Sequence, residues 1–175
     1  YLAYAVSRKK MPCLDMGHYH PTEGIHDKIS AILTFLPEVL LHVSRPVRWD
    51  SDHVVVLNDD MVALARELVR GGCLDKVWLA TDFFDASINR IGAWVVGVRN
   101  LQKALLFALL EPVGKLRSLE AEGRGAEKLA LMEEAKALPF GAVWDYFCLR
   151  AGVPVGSAWI NEMVAYQKDV LSARN

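Results

Sequence analysis

The sequence predicts an α/β fold: carboxyl-terminal strands of a (β/α)8 TIM barrel followed by an all-helical extension. Three observations lead there. Three short apolar runs each stop at a polar residue. Helix-patterned segments separate those runs, which is the grammar of a parallel sheet. The second half of the chain carries helical periodicity almost throughout.

The first apolar run is Met11-Pro12-Cys13-Leu14, closed by Asp15. The second is Val39-Leu40-Leu41, closed by His42, and the third is Val77-Trp78-Leu79-Ala80-Thr81, closed by Asp82. Short runs of this kind fit buried parallel strands. Between the first two, Ile25, Ile29, Ile32, Leu33 and Leu36 fall on one helical face. Before the third, Met61, Leu64, Ala65 and Leu68 do the same across Asp59–Arg70, with Asn58 as N-cap and Gly71-Gly72 as stop. His53–Leu57 reads as either a short strand or an extended loop.

After Asp82 the pattern changes. Ile91, Trp94, Val95, Val98, Leu101, Leu105 and Leu109 form a long helical stripe that ends near Pro112. Further helices are predicted over Lys115–Glu122, Glu127–Leu138, Phe140–Arg150 and Ser157–Ser172. Residues 1–90 therefore read as barrel βα units and residues 91–175 as a helical extension suited to oligomerisation. A complete barrel needs eight strands and about 250 residues. This pattern supplies three or four strands, so the sequence reads as the later part of a barrel.

Composition narrows the function. Of 175 residues, 53% are hydrophobic and 23% charged, which excludes disorder for most of the chain. Twenty basic against 21 acidic residues give a net charge of −1, arguing against nucleic acid as a partner. No apolar run reaches about 18 residues, so no membrane span is expected. The three cysteines, Cys13, Cys73 and Cys148, form no C-x-x-C pair. They read as buried free thiols, which fits a cytoplasmic location.

Chemistry-bearing residues gather just past the strand ends. The clusters are 15–23, 42–53 and 82–90. Carboxylates and imidazoles converging on one barrel mouth suit a divalent metal of the manganese type. Asp50 and Asp52 are two apart, so in an extended segment their side chains point the same way. Two carboxylates held together repel unless a cation lies between them. Gly17, between Asp15 and His18, permits a tight turn. Phe83 and Phe84 stand as either a substrate wall or core aromatics. Asp85, Ser87 and Asn89 read as caps for the long helix.

These clusters closely resemble the bacterial L-rhamnose isomerases over the carboxyl-terminal third to half of that family. The likeness runs through CLDMGHYHPTE, LLHVSRPVRWDSDHVV, TDFFDASINRIGAW and ALLEPVGKLRSLE. The resemblance implies a xylose-isomerase-like barrel that interconverts L-rhamnose and L-rhamnulose by a metal-mediated hydride shift. It implies Mn2+ at a catalytic site held by His18, Asp50 and Asp52. It implies a second divalent ion, Mn2+ or Zn2+, held by Asp15, His42 and Asp82, with Asp82 also orienting a catalytic water. It further implies a homo-oligomer, a tetramer.

The family's second site also takes a glutamate from an earlier strand, and residues 1–14 contain no acid. The chain is therefore expected to hold most metal ligands and to be inactive by itself. Two other readings remain at this stage, a metal-dependent hydrolase on a similar barrel and a non-catalytic sugar-binding module. Neither H-E-x-x-H nor G-x-S-x-G occurs.

Overall fold

A computed structural model describes residues 1–174. They group into two compact units, one from Tyr1 to Ala108 and one from Leu109 onward. The first is α/β, the second all helix.

In the first unit, helix α1 (Leu2–Arg8) leads to β1 (Cys13–Asp15), a 3-10 turn (Met16–His18) and α2 (His26–Leu33). Then follow β2 (Val39–Val43), α3 (Asp59–Arg70), β3 (Val77–Thr81) and α4 (Arg90–Leu109). The sheet is parallel, in the order β1-β2-β3. Its register sets Asp15 opposite His42, and His42 opposite Ala80. The Asp82 N–H donates to the Val43 carbonyl at 3.1 Å, so the ladder continues one residue past β3. Parallel register thus brings Asp15, His42 and Asp82 to one end of the sheet.

Strand alternation then sorts the side chains. Val39, Leu41 and Val43 are fully buried, and Leu14 and Val77 nearly so. They join Ile29 and Ile32 of α2 and Met61, Leu64 and Leu68 of α3 in one core. Each such side chain contributes about 1.5–3 kcal/mol on burial. The opposite face carries Cys13, Leu40 and Trp78 in register, and Trp78 is 59% exposed. Its indole N–H reaches Glu38 at 2.7 Å.

Helix α3 occupies the predicted Asp59–Arg70. The Asn58 side chain accepts from the Met61 N–H at 3.1 Å, and Asp59 and Asp60 complement the positive helix start. Other boundaries shift for local reasons. Strand β1 is shorter than the apolar run, because Pro12 has no N–H and offers only its carbonyl, to Leu40. Helix α2 ends at Leu33 instead of Leu36, ahead of Leu36-Pro37, where the residue before proline leaves the helical region. His53 forms an isolated antiparallel bridge with Arg45, and 54–57 run as loop, so the described sheet has three strands.

Helix α4 forms over the predicted stripe, but its buried face differs from that stripe in part. Its buried residues are Gly92, Ala93, Gly97, Leu101, Ala104 and Ala108. Trp94, Val98 and Leu109 are exposed. The reason is close approach: a Cβ on Gly97 would stand 2.3 Å from the Phe83 ring. A face of small residues lets the helix lie against the core, and the bulky residues turn outward. Phe83 itself packs on the core, while Phe84 is exposed. The sequence boundary at residue 90 leaves α4 with the extension, whereas the compact units divide after Ala108.

The second unit holds α5 (Val113–Ala121), α6 (Gly125–Lys136), α7 (Phe140–Arg150) and α8 (Ala158–Tyr166). A π-helical turn (Gln167–Leu171) and a 3-10 turn (Ser172–Arg174) follow. Leu116, Leu119, Trp144 and Cys148 are buried there. Arg124 bridges Glu122 and Glu127 where α5 gives way to α6. Cys73 and Cys148 are buried as expected, whereas Cys13 is half-buried. No single helix among the described residues is long and apolar enough to cross a membrane.

Candidate metal centre

The site is built at the carboxyl ends of the three strands. Asp15 ends β1, His42 stands one residue before the end of β2, and Asp82 follows β3. The His42 ring bridges the other two: Nδ1 lies 3.1 Å from Asp15 Oδ2 and 2.9 Å from Asp82 Oδ2. Asp15, His42 and Asp82 offer ligand atoms that all lie within 4.8 Å of one another.

Asp15 also belongs to a second group, with His18 and Asp52, again within 4.8 Å. The 3-10 turn makes this possible. Asp15 Oδ1 accepts from the Gly17 N–H at 2.9 Å, which caps the turn and swings His18 back over the strand end. His18 Nε2 then faces Asp15 Oδ2 at 3.8 Å. Its other nitrogen, Nδ1, meets Asp50 Oδ1 at 2.6 Å.

The loop between β2 and α3 delivers the two aspartates. The Arg45–His53 bridge folds it into a closed excursion. Inside, Ser51 Oγ accepts from the N–H groups of Val47 and Arg48 and donates to the Arg48 carbonyl at 2.6 Å. The Ser51 N–H donates to the Gly17 carbonyl at 2.8 Å, tying this loop to the turn that carries His18. The segment is not extended as the Asp-x-Asp spacing implied. Asp50 has φ 55°, a left-handed conformation that aspartate tolerates better than most residues. Asp50 therefore meets His18 from one side, while Asp52 joins His18 and Asp15 on another.

Asp52 is the carboxylate of the cluster whose surroundings disfavour its charge. Its Oδ1 is buried and has no hydrogen-bond partner. Burial pushes its carboxyl above the ordinary value, and the negative neighbours Asp15 and Asp82 push the same way. The Ser44 hydroxyl and His18 oppose that rise. Ser44 comes close without reaching hydrogen-bond geometry. An orphaned, partly desolvated carboxylate beside two more carboxylates and an imidazole is the donor set a divalent cation satisfies. Of the six residues singled out in the sequence, five fall in these two groups, and Asp50 meets them through His18 Nδ1.

Gly17 is required for close approach, since its φ is not in the left-handed region. A Cβ there would stand 1.7 Å from Asp52 Oδ1 and 2.7 Å from the Ser51 carbonyl. Ser44 and Ser51 were not singled out by sequence reasoning. The only signal for Ser51 is its place in a turn-forming stretch, Arg48-Trp49-Asp50-Ser51. Nothing in the pattern marks Ser44, since its meaning depends on Asp52 folding back to it. Other polar residues of the three clusters and of α2 fall outside the centre. His20 pairs with Thr22 and stands edge-on to Trp49, and His26 pairs with Asp27. Arg45 Nε donates to the Val54 carbonyl. Asn89 caps α4 through Gly92, and Asp85 forms a local turn with Ser87.

Comparison with known proteins identifies the family. The family model described as L-rhamnose isomerase (RhaA) matches residues 1–174. An L-rhamnose isomerase of Citrobacter koseri is 58% identical over 175 residues, all of this chain and 42% of the relative. Those of Mannheimia succiniciproducens and Escherichia coli K12 are 60% and 58% identical over 174 residues, 99% of this chain and 42% of each relative. The chain thus spans less than half the length of the curated relatives it matches. A family model that covers all but one of the 175 residues, with relatives at this identity along the same span, shows that the chain belongs to the L-rhamnose isomerase family.

Proposed function

We propose that this chain supplies the metal-binding portion of an aldose–ketose isomerase that interconverts L-rhamnose and L-rhamnulose. The observation that carries the reading is the pair of carboxylate–imidazole clusters joined at Asp15, on the carboxyl ends of three parallel strands. Ligand sites in parallel α/β folds gather on that face. In this reading His18, Asp50 and Asp52 hold a catalytic Mn2+, and Asp15, His42 and Asp82 hold a second divalent ion, Mn2+ or Zn2+. Divalent cations there supply Lewis acidity toward the sugar oxygens, the chemistry a hydride shift between C1 and C2 requires.

The chain's own residues do the placing. Asp15 and His42 are held by strand register, so one side of the site is rigid. Asp82, about half-exposed, faces the open side and is the residue suited to orient a water for the proton exchange between O1 and O2. His18, Asp50 and Asp52 ride on loops stitched together by Ser51 and Gly17.

The three strands belong, in this proposal, to a (β/α)8 barrel whose other strands lie outside residues 1–175. The sheet edges at β1 and β3 and the exposed Trp78 support that reading. The helices of the second unit present Tyr146, Phe147, Leu149 and Val164 to the surface, which supports a role in subunit contact within a cytoplasmic homotetramer. The deciding experiment is ketose formation from L-rhamnose by the full-length protein, stripped with a chelator and then restored with Mn2+. Activity that survives complete metal removal overturns the proposal.

A further inference from the structure

Ser44 directly follows β2, two residues beyond His42. It is 1% exposed, and its hydroxyl has no hydrogen-bond partner. Buried hydroxyls are nearly always satisfied, because an unmade hydrogen bond inside a protein is costly. Alanine would fill the same space without that cost. Strand alternation carried on from β2 assigns position 44 to the His42 side of the sheet, toward the cluster.

The neighbouring orphan is Asp52 Oδ1. The Arg45–His53 bridge folds the loop back on the end of β2 and returns Asp52 to Ser44. Gly17 leaves room for the Asp52 carboxylate but offers it no donor from a side chain. Two unsatisfied groups of complementary kind, a hydroxyl donor and a carboxylate acceptor, therefore stand side by side without reaching bonding geometry.

We propose that Ser44 is a positioning residue for the Asp15–His18–Asp52 cluster. Its hydroxyl donates to the Asp52 carboxylate when a divalent cation holds that carboxylate, and so selects the oxygen that faces the ion. The inference rests on the reading of this cluster as a cation site. Groups behind a ligand act by fixing its orientation, and their removal typically weakens metal binding about 10–100-fold.

The test is Mn2+ binding to the full-length protein, followed by the electron paramagnetic resonance of free Mn2+, in wild type, Ser44→Ala, Asp52→Asn and the double variant. Ser44→Ala is expected to weaken one class of Mn2+ site about tenfold or more, leaving the other within about twofold. The melting temperature of the metal-free protein should fall far less than the affinity does, since the hydroxyl makes no well-formed hydrogen bond there. On the Asp52→Asn background, Ser44→Ala should add nothing, the signature of coupled residues.

Unchanged Mn2+ binding in Ser44→Ala overturns the proposal. A loss that adds in full to that of Asp52→Asn overturns it too, as does a metal-free destabilisation matching the loss of affinity, which would mark a packing role. If Asp52→Asn leaves every Mn2+ site intact, the cation-site reading fails first and the Ser44 proposal with it.

Discussion

Asp52 Oδ1 stands where a side chain on Gly17 would begin: a Cβ built on Gly17 lies 1.7 Å from it. The turn that carries His18 and the loop that carries Asp52 interlock at this point. The Ser51 N–H, bonded to the Gly17 carbonyl at 2.8 Å, fastens the contact from the other side.

Gly17→Ala should therefore damage metal binding more than its size suggests. The methyl group must displace either the Asp52 carboxylate or the Ser51 backbone, and overpacking of this kind costs about 1–3 kcal/mol. The expected outcome is Mn2+ affinity lowered about tenfold or more, with a lower melting temperature. Isothermal titration and thermal unfolding check both, and wild-type values in each would refute the contact.

Asp50→Asn combined with Asp52→Asn should abolish Mn2+-dependent isomerisation in the full-length protein. Both carboxylates lie beside His18 and both lose their charge in this variant. Near-normal turnover would remove these residues from the catalytic site.

The pH dependence of metal-free stability follows from Asp52. Its carboxyl is raised above the ordinary value, first by burial and next by Asp15. The folded state thus favours the protonated form. That contribution is complete below the unfolded value and is lost as pH rises through the raised folded value. Metal-free protein should lose stability across this acidic window, and Asp52→Asn should flatten the loss. Saturating Mn2+ should remove it as well, since a cation stabilises the ionised form. Urea unfolding at a series of pH values, with and without Mn2+, measures the slope. An identical slope in Asp52→Asn contradicts the assignment.

His42→Ala takes away the ring between Asp15 and Asp82. The second metal should bind more weakly and the Michaelis constant for L-rhamnose should rise. Unchanged metal stoichiometry together with an unchanged Michaelis constant would make His42 a structural residue.

Residues 1–175 prepared alone should neither form a closed barrel nor isomerise L-rhamnose. Strands β1 and β3 are sheet edges, and Phe35, Met11 and Trp78 are exposed. Several hundred Å2 of unpaired apolar surface at about 25 cal/mol per Å2 rivals the 5–15 kcal/mol that holds an ordinary domain together. Size-exclusion chromatography, thermal unfolding and a ketose assay provide the check. A monomeric, cooperatively unfolding and active preparation would contradict it.

Features that depend on near neighbours were readable along the chain. Three apolar runs and the polar residues that stop them placed β1, β2 and β3. Helix α3 was legible to its cap, because Asn58, the stripe from Met61 to Leu68 and Gly71 all act within a few residues of one another. Asp15, His42 and Asp82 were legible as residues at strand ends on one mouth, because parallel strands bring their ends together, while their grouping as ligands of one ion came from the family resemblance. Tertiary structure alone decided the rest. It placed Asp15 in both clusters, because the turn at Gly17 returns His18 toward the strand. It gave Asp50 a left-handed backbone, which spacing in an extended segment does not anticipate. It turned the small-residue face of α4 inward, because Phe83 comes to rest on Gly97. It brought Ser44 to Asp52 without a well-formed hydrogen bond for either Ser44 Oγ or Asp52 Oδ1. Each of these depends on the distance between groups separated in the chain, which only folding sets.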